Sequence, residues 1–240
     1  VKGIVLAGGL GTRLDPLTRV TNKHLLPVFD RPMIHYPIRT LVDAGITEIL
    51  VVTGGESAGD FLKLMGNGSE FGLRHLNYTY QKGHGGIAEA LGLARHFAAG
   101  DAITVILGDN IFEQPIAGAA ARFAEQKRGA RIFLKEVPDP QRFGVARIEG
   151  DRIVAIIEKP EHPPGCYAVT GIYMYDDRVF DIIDELEPSA RGELEITDVN
   201  NAYIRLGEMR YEVLQGWWTD AGTFESLYRA STLVRQGRRP

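Results

Sequence analysis

Short apolar runs rich in β-branched residues recur along the first half of the chain, at Lys2 to Ala7, Ile46 to Thr53 and Ala102 to Leu107. Unbroken runs of this length between turn signals predict buried strands. Leu73 to Gln81, where apolar and polar residues partly alternate, and Arg131 to Glu136 add two more. Helical patterns lie between them. Pro32 suits the first turn of a helix that runs to about Val42 and stops at Gly45. A short helix is expected from about Ala58 to Met65, another where Ile87, Leu91, Ala94 and Phe97 recur at helical spacing, and a third from about Pro115 to Lys127, ended by Gly129. Strands alternating with helices predict a parallel sheet covered on both faces.

From about residue 137 the style changes. Val145 to Ile148 and Ile153 to Glu158 flank Gly150-Asp151 as a hairpin, and Tyr167 to Tyr175 is a further strand. Helices at about Arg178 to Leu186 and Ile196 to Leu206, a strand at Arg210 to Leu214 and a last helix from about Thr223 to Val234 follow. The expected class is α/β, a mostly parallel mixed sheet with a hairpin-rich lobe over its edge. The stretches around Asp15 to Thr18 and Thr21 to His24 lack periodicity and read as surface loop.

With 240 residues, 44% hydrophobic, and no Pro/Gly/Ser-rich linker, one domain over 1–240 is expected. A net charge of −4 without a long run of either sign argues against a nucleic-acid surface, though not against a local anion pocket. The single cysteine, Cys166, excludes an internal disulfide framework and reads as an ordinary thiol. No stretch approaches a membrane span, and the first strand begins at once, so a cytoplasmic protein without membrane contact is expected.

Chemistry gathers where apolar runs end. After Leu6 and Ala7 come Gly8, Gly9, Leu10, Gly11, Thr12 and Arg13. Glycines let backbone N–H groups approach an anion, and Arg13 offers a planar charged fork. A Walker A loop would need a lysine that is absent between Lys2 and Lys23, and a dinucleotide fingerprint fails at Leu14, so a phosphate cradle of another kind competes here with a plain structural turn. Asp109 follows a strand through Gly108, where a carboxylate suits Mg²⁺. Asp220 is either a metal ligand or the N-cap of the last helix. Lys23 in a loop reads equally as a solvated charge, and Glu158-Lys159 as an exposed ion pair. The histidines show no zinc-protease spacing, and no Gly-x-Ser-x-Gly elbow occurs.

Gly11-Thr12-Arg13-Leu14, Lys23 with Leu25-Leu26-Pro27, Leu107 to Phe112, Glu158-Lys159-Pro160, Ala168-Val169-Thr170-Gly171 and Pro188 to Asp198 together resemble the sugar-1-phosphate nucleotidyltransferases, nearest their bacterial thymidylyltransferase branch. The resemblance covers nearly all of the chain. It implies a Rossmann-like three-layer α/β/α fold, with residues 1–136 mainly binding nucleotide and 137–240 mainly binding sugar phosphate and making oligomer contacts. It also implies Mg²⁺-dependent transfer from dTTP, or UTP, to glucose 1-phosphate or another sugar phosphate, by a homo-oligomer (dimer or tetramer). Leu6, Gly8, Gly9, Gly11, Thr12, Arg13, Gln81, Gly86 and Asp109 would hold the nucleotide, with Lys23 supporting its phosphates and the amide donor and acceptor of Gln81 meeting a pyrimidine. Asn110, Gly144, Glu158, Lys159, Val169 and Trp218 would surround the sugar phosphate. Asp109 and Asp220 would hold Mg²⁺, and Arg13, Lys23, Asp109 and Lys159 would carry catalysis.

Departures from the family pattern are Asp15 for tyrosine, His24 for glutamine, Gly85 for aspartate and Phe143 for tyrosine. The chain resembles the short form, without the C-terminal segment of longer relatives, and weak feedback by nucleotide sugars is expected. A non-catalytic sugar-nucleotide sensor on the same fold is the rival reading.

Overall fold

Ile4 and Leu6 pack into one hydrophobic core and Val5 and Ala7 into another, all four buried. Successive side chains of a strand alternate faces, so strand β1 (Lys2–Ala7) is covered on both sides, as its unbroken apolar run requires. The computed structural model describes residues 1–55 and 57–237; Glu56 and residues 238–240 lie outside the described residues.

Seven strands follow β1 in the central sheet or beside it as the chain advances to residue 136. They are β2 (Pro27–Val28), β3 (Arg31–Pro32), β4 (Glu48–Gly54), β5 (His75–Gln81), β6 (Ile103–Leu107), β7 (Asn110–Phe112) and β8 (Ala130–Glu136). The second half adds β9 (Gly144–Glu149), β10 (Arg152–Glu158), β11 (Tyr167–Tyr175), β12 (Met209–Val213) and β13 (Trp218–Asp220). The main sheet runs in the order β10-β9-β11-β6-β1-β4-β5, with β8 also on β11 and β12 on β8. Strands β5, β4, β1 and β6 are mutually parallel, while β11 runs antiparallel to β6, β8 and β9. The expected mixed sheet with its β9–β10 hairpin is present.

Helices α1 (His35–Asp43), α2 (Ala58–Met65) and α5 (Ala117–Gln126) cover the face carrying Val5. Helices α3 (Ile87–Gly92), α4 (Arg95–Ala98), α6 (Val179–Asp184) and α7 (Ile196–Arg205) cover the other. A third, small core of Val28, Met33, Ile111, Ala221, Ala230 and Val234 lies under α8 (Phe224–Gly237).

Three local expectations need correction, and one feature was not anticipated at all. Pro32 sits in β3, paired with Pro27, and α1 starts only at His35. The helical spacing from Ile87 to Phe97 is divided between α3 and α4. The stretch to His24 is not plain surface: three 3₁₀ turns occupy it, and Asn22 and His24 are buried. The Asn22 side chain accepts from the His24 N–H at 3.0 Å and donates to the Ala7 carbonyl, which ties the turn over the end of β1. Finally, β7 and β13 form a short antiparallel ladder that sets Asp220 opposite Asn110, a pairing of distant segments without local signal.

Candidate functional site

In open sheets of this kind ligands gather beyond the carboxyl ends of parallel strands. Here those ends lead to Gln81 from β5, Gly8 from β1 and Gly108-Asp109 from β6, while Gly144 and Glu158 face each other where β9 begins and β10 ends. A cavity of about 540 Å³ follows this row. Every expected site residue lines it except Gly11 and Thr12. Gly11 stands behind the wall at φ +64°, and a Cβ there would come within 3.1 Å of the Lys23 Cβ, so the glycine lets the lysine segment close on the loop.

Lys23 is no solvated charge. Its Nζ lies 2.6 Å from Asp109 Oδ2, with both side chains almost buried. Burial alone would push the Asp109 carboxyl up, but the Lys23 charge and hydrogen bonds from Lys23 and Asn110 outweigh it and hold the group well below the usual carboxylate range. Burial, reinforced by the Lys23 charge, pushes His24 down to about 3, so its ring is neutral beneath the site. A Cβ on Gly108 would lie 2.7 Å from that ring, so His24 packs directly under the turn leading to Asp109.

Asp220 is not the N-cap of α8. Thr223 fills that place, its Oγ1 accepting from the Ser226 N–H at 3.2 Å while Ser226 Oγ accepts from the Thr223 N–H at 3.0 Å. The Asp220 carboxyl is instead pushed up, first by burial and then by the charge of Asp109, against the opposing charges of Arg142 and Arg13. A Cβ on Gly222 would lie 3.2 Å from Arg13 Nη2 and 3.6 Å from Asp109 Oδ2, so Arg13 and Asp109 converge on this same turn. An ionised Asp109 that disfavours ionisation of the neighbouring Asp220 leaves a place that fits a divalent cation. Among the described residues no three His, Cys, Asp or Glu side chains gather as a cage. A cation held by this pair would complete its shell with phosphate oxygens and water, as hard cations of the Mg²⁺ type do.

At the other end of the cavity Glu158 Oε2 accepts from Thr197 Oγ1 at 2.7 Å, and Lys159 Nζ stands 3.6 Å from Glu158 Oε1. Lys159 has φ +42°, a conformation that side chains rarely adopt, with its N–H held by the Phe143 carbonyl at 3.0 Å. Phe143 packs on Trp218 with ring centroids 5.1 Å apart. Asn110 braces the wall: Oδ1 accepts from Trp218 Nε1 at 2.7 Å and from the Gly171 N–H at 3.0 Å, while Nδ2 donates to Asp109 at 2.9 Å.

The cavity also takes in Arg142, Arg191, Thr197 and Tyr173, to which sequence reasoning gave no role. Arg191 and Thr197 belong to the Pro188 to Asp198 stretch, a marker of the resemblance, and Arg142 directly precedes Phe143. Those neighbours were the only signal for these three, and Tyr173, within β11, had none beyond its strand. Gln81 differs from expectation as well: Nε2 donates to the Gly86 carbonyl at 3.2 Å and to Glu89 Oε1 at 3.0 Å, so its donor side is engaged within the chain.

The family model for nucleotidyl transferase matches residues 2–237. A glucose-1-phosphate thymidylyltransferase of Neisseria meningitidis serogroup A is 45% identical over 239 residues, 98% of this chain and 83% of the relative. One of Mycolicibacterium smegmatis is 44% identical over 98% and 82% of the two chains. A crystal structure from Bacillus anthracis, assigned to glucose-1-phosphate thymidylyltransferase, superposes with a TM-score of 0.95 at 52% identity, covering 100% of this chain and 97% of that one.

Proposed function

The chain belongs to the nucleotidyl transferase family, and from that premise we propose that it joins dTTP to glucose 1-phosphate, giving dTDP-glucose and pyrophosphate. The observation that carries this reading is the order of the sheet edge. Gln81 and Gly8 lie at one end of the cavity, Asp109 follows in the middle, and Gly144 with Glu158 comes last. That is the sequence base, phosphates, sugar.

In the proposed reaction a phosphate oxygen of the sugar phosphate attacks the α-phosphorus, the bond from that phosphorus to the β-phosphate oxygen breaks, and pyrophosphate departs with the electron pair. The attacking oxygen is already anionic, so no general base is needed, and the protein's work is alignment and charge neutralisation. Arg13 and Lys23 hold the triphosphate. Asp109 and Asp220 would hold Mg²⁺, which supplies neutralisation of the phosphate charge. Lys159 draws the sugar phosphate in against the repulsion between the two anions. Glu158, oriented by Thr197, accepts from sugar hydroxyls, and Phe143 and Trp218 form the apolar wall beside them.

Pyrophosphate release measured on a panel of nucleoside triphosphates and sugar phosphates tests the reading. Fastest turnover with dTTP and glucose 1-phosphate is expected. Tight binding of a nucleotide sugar without any release would support the sensor instead. UTP is the favoured second substrate, because uracil and thymine share one hydrogen-bonding edge and differ by a methyl group worth about 1 to 3 kcal/mol in an apolar contact. Self-association as a dimer or tetramer belongs to the same proposal and is read by sedimentation.

A further inference from the structure

We infer that Glu89 is a positioning residue that locks the Gln81 amide with only its carbonyl oxygen toward the base, making the pocket a reader of pyrimidines that carry a ring N3–H. The inference rests on the nucleotide-binding reading above. A glutamine amide has one acceptor oxygen and two N–H donors, and free rotation would let it read either sense of a base edge. Here Nε2 lies 3.0 Å from Glu89 Oε1 and 3.2 Å from the Gly86 carbonyl. Both partners are acceptors. Turning the amide over would set oxygen against oxygen twice, in a side chain that is only 6% exposed.

The remaining polar atom, Oε1, faces the glycine loop: a Cβ on Gly8 would stand 2.9 Å from it. Among the described residues no donor reaches it. A base entering between Gly8 and Gln81 therefore meets a fixed acceptor. Thymine and uracil bring the N3–H that satisfies it. Cytosine has the same outline but a lone pair at N3, which leaves two acceptors facing each other.

Gly85 belongs to the same device. A Cβ there would lie 1.4 Å from Glu89 Oε2, so any side chain at 85 would take the space the carboxylate occupies. The φ of Gly85 is not in the left-handed region, so glycine is required for room and not for backbone freedom. The glycine that stands where the family usually carries aspartate thus pairs with Glu89.

The test measures steady-state kinetics and calorimetric binding of dTTP and dCTP on the full chain and on Glu89→Gln, Gly85→Ala, Glu89→Ala and the double variant Gly85→Ala/Glu89→Ala. The unaltered protein is expected to favour dTTP over dCTP by about 100-fold or more. In Glu89→Gln the new amide can face Gln81 with oxygen or nitrogen, so the preference should fall to about tenfold or less, with KM for dTTP raised and KM for glucose 1-phosphate unchanged. Gly85→Ala should act the same way by displacing the carboxylate, yet add nothing once Glu89 is alanine. An unmoved dTTP to dCTP ratio in folded Glu89→Gln or Gly85→Ala, or full additivity in the double variant, overturns the inference while leaving the nucleotide reading intact. Absence of dTTP binding by the unaltered protein overturns both.

Discussion

Lys23 Nζ and Asp109 Oδ2 stand 2.6 Å apart in a nearly buried pair that joins the turn after the glycine loop to the end of β6. Removing one partner leaves the other charged and desolvated, whereas removing both leaves neither. Lys23→Met should cost about 3 kcal/mol of stability in urea unfolding, and Lys23→Met/Asp109→Asn should recover most of it. Additive losses would show that the pair is not a coupled unit.

Asp109→Asn and Asp220→Asn should each lower kcat by about 10³-fold, equivalent to about 4 kcal/mol of transition-state stabilisation. If both carboxylates act through one cation, the double variant should be little worse than either single one. Kinetics at saturating Mg²⁺ check this, and near-normal turnover in either variant would remove it from the metal site.

Lys159 offers a separation of stability from function. Its left-handed backbone costs a side-chain residue about 1 to 2 kcal/mol, and glycine escapes that cost while losing more freedom on folding. Lys159→Gly should therefore unfold at the same urea concentration as the parent or slightly higher, while KM for the sugar phosphate rises and kcat falls. A clear loss of stability would mean that the lysine side chain contributes to the fold.

Asp176 sets a pH dependence far from the cavity. Burial would raise its carboxyl, but hydrogen bonds from Tyr203 Oη at 2.6 Å, Arg178 Nε at 2.9 Å and the Gly129 N–H at 2.7 Å bring it below the ordinary value. A depressed folded-state pKa contributes stability that is complete above the unfolded value near 4 and is lost as pH falls through the folded value. Unfolding midpoints followed from pH 5 to pH 2 should decline less steeply in Asp176→Asn than in the parent. Parallel curves would exclude the carboxylate as the source.

Wherever one segment carried its own signal, the sequence was legible. The apolar run of β1, the turn between β9 and β10, and the continuous β11 were each predicted within two residues. The position of the glycine loop and of Asp109 at the sheet edge was legible because each directly follows an apolar strand, whereas Lys159 stood out only through the resemblance. Legibility ended where the cause was nonlocal. Nothing near His24 announces that Asn22 folds it under Gly108, and three-residue strands such as β13 have too few positions for a period to be seen. The engagement of Gln81 by Glu89 was equally hidden, since it depends on an empty place at Gly85.

The β7–β13 ladder has a consequence for the order in which the molecule becomes competent. Two three-residue strands are too short to persist alone, and this pair rests on α8 packing Ala230 and Val234 against Val28 and Ile111. Local opening of α8 therefore frees Asp220 from Asp109 while the main sheet stays closed. Backbone amides of β13 should exchange with solvent far sooner than those of β11, and during synthesis the second carboxylate reaches its partner only after the long excursion from Phe112 to Trp218 has found its place. Closure of the Asp109–Asp220 pair is thus expected to come late, separable in time from formation of the fold that surrounds it.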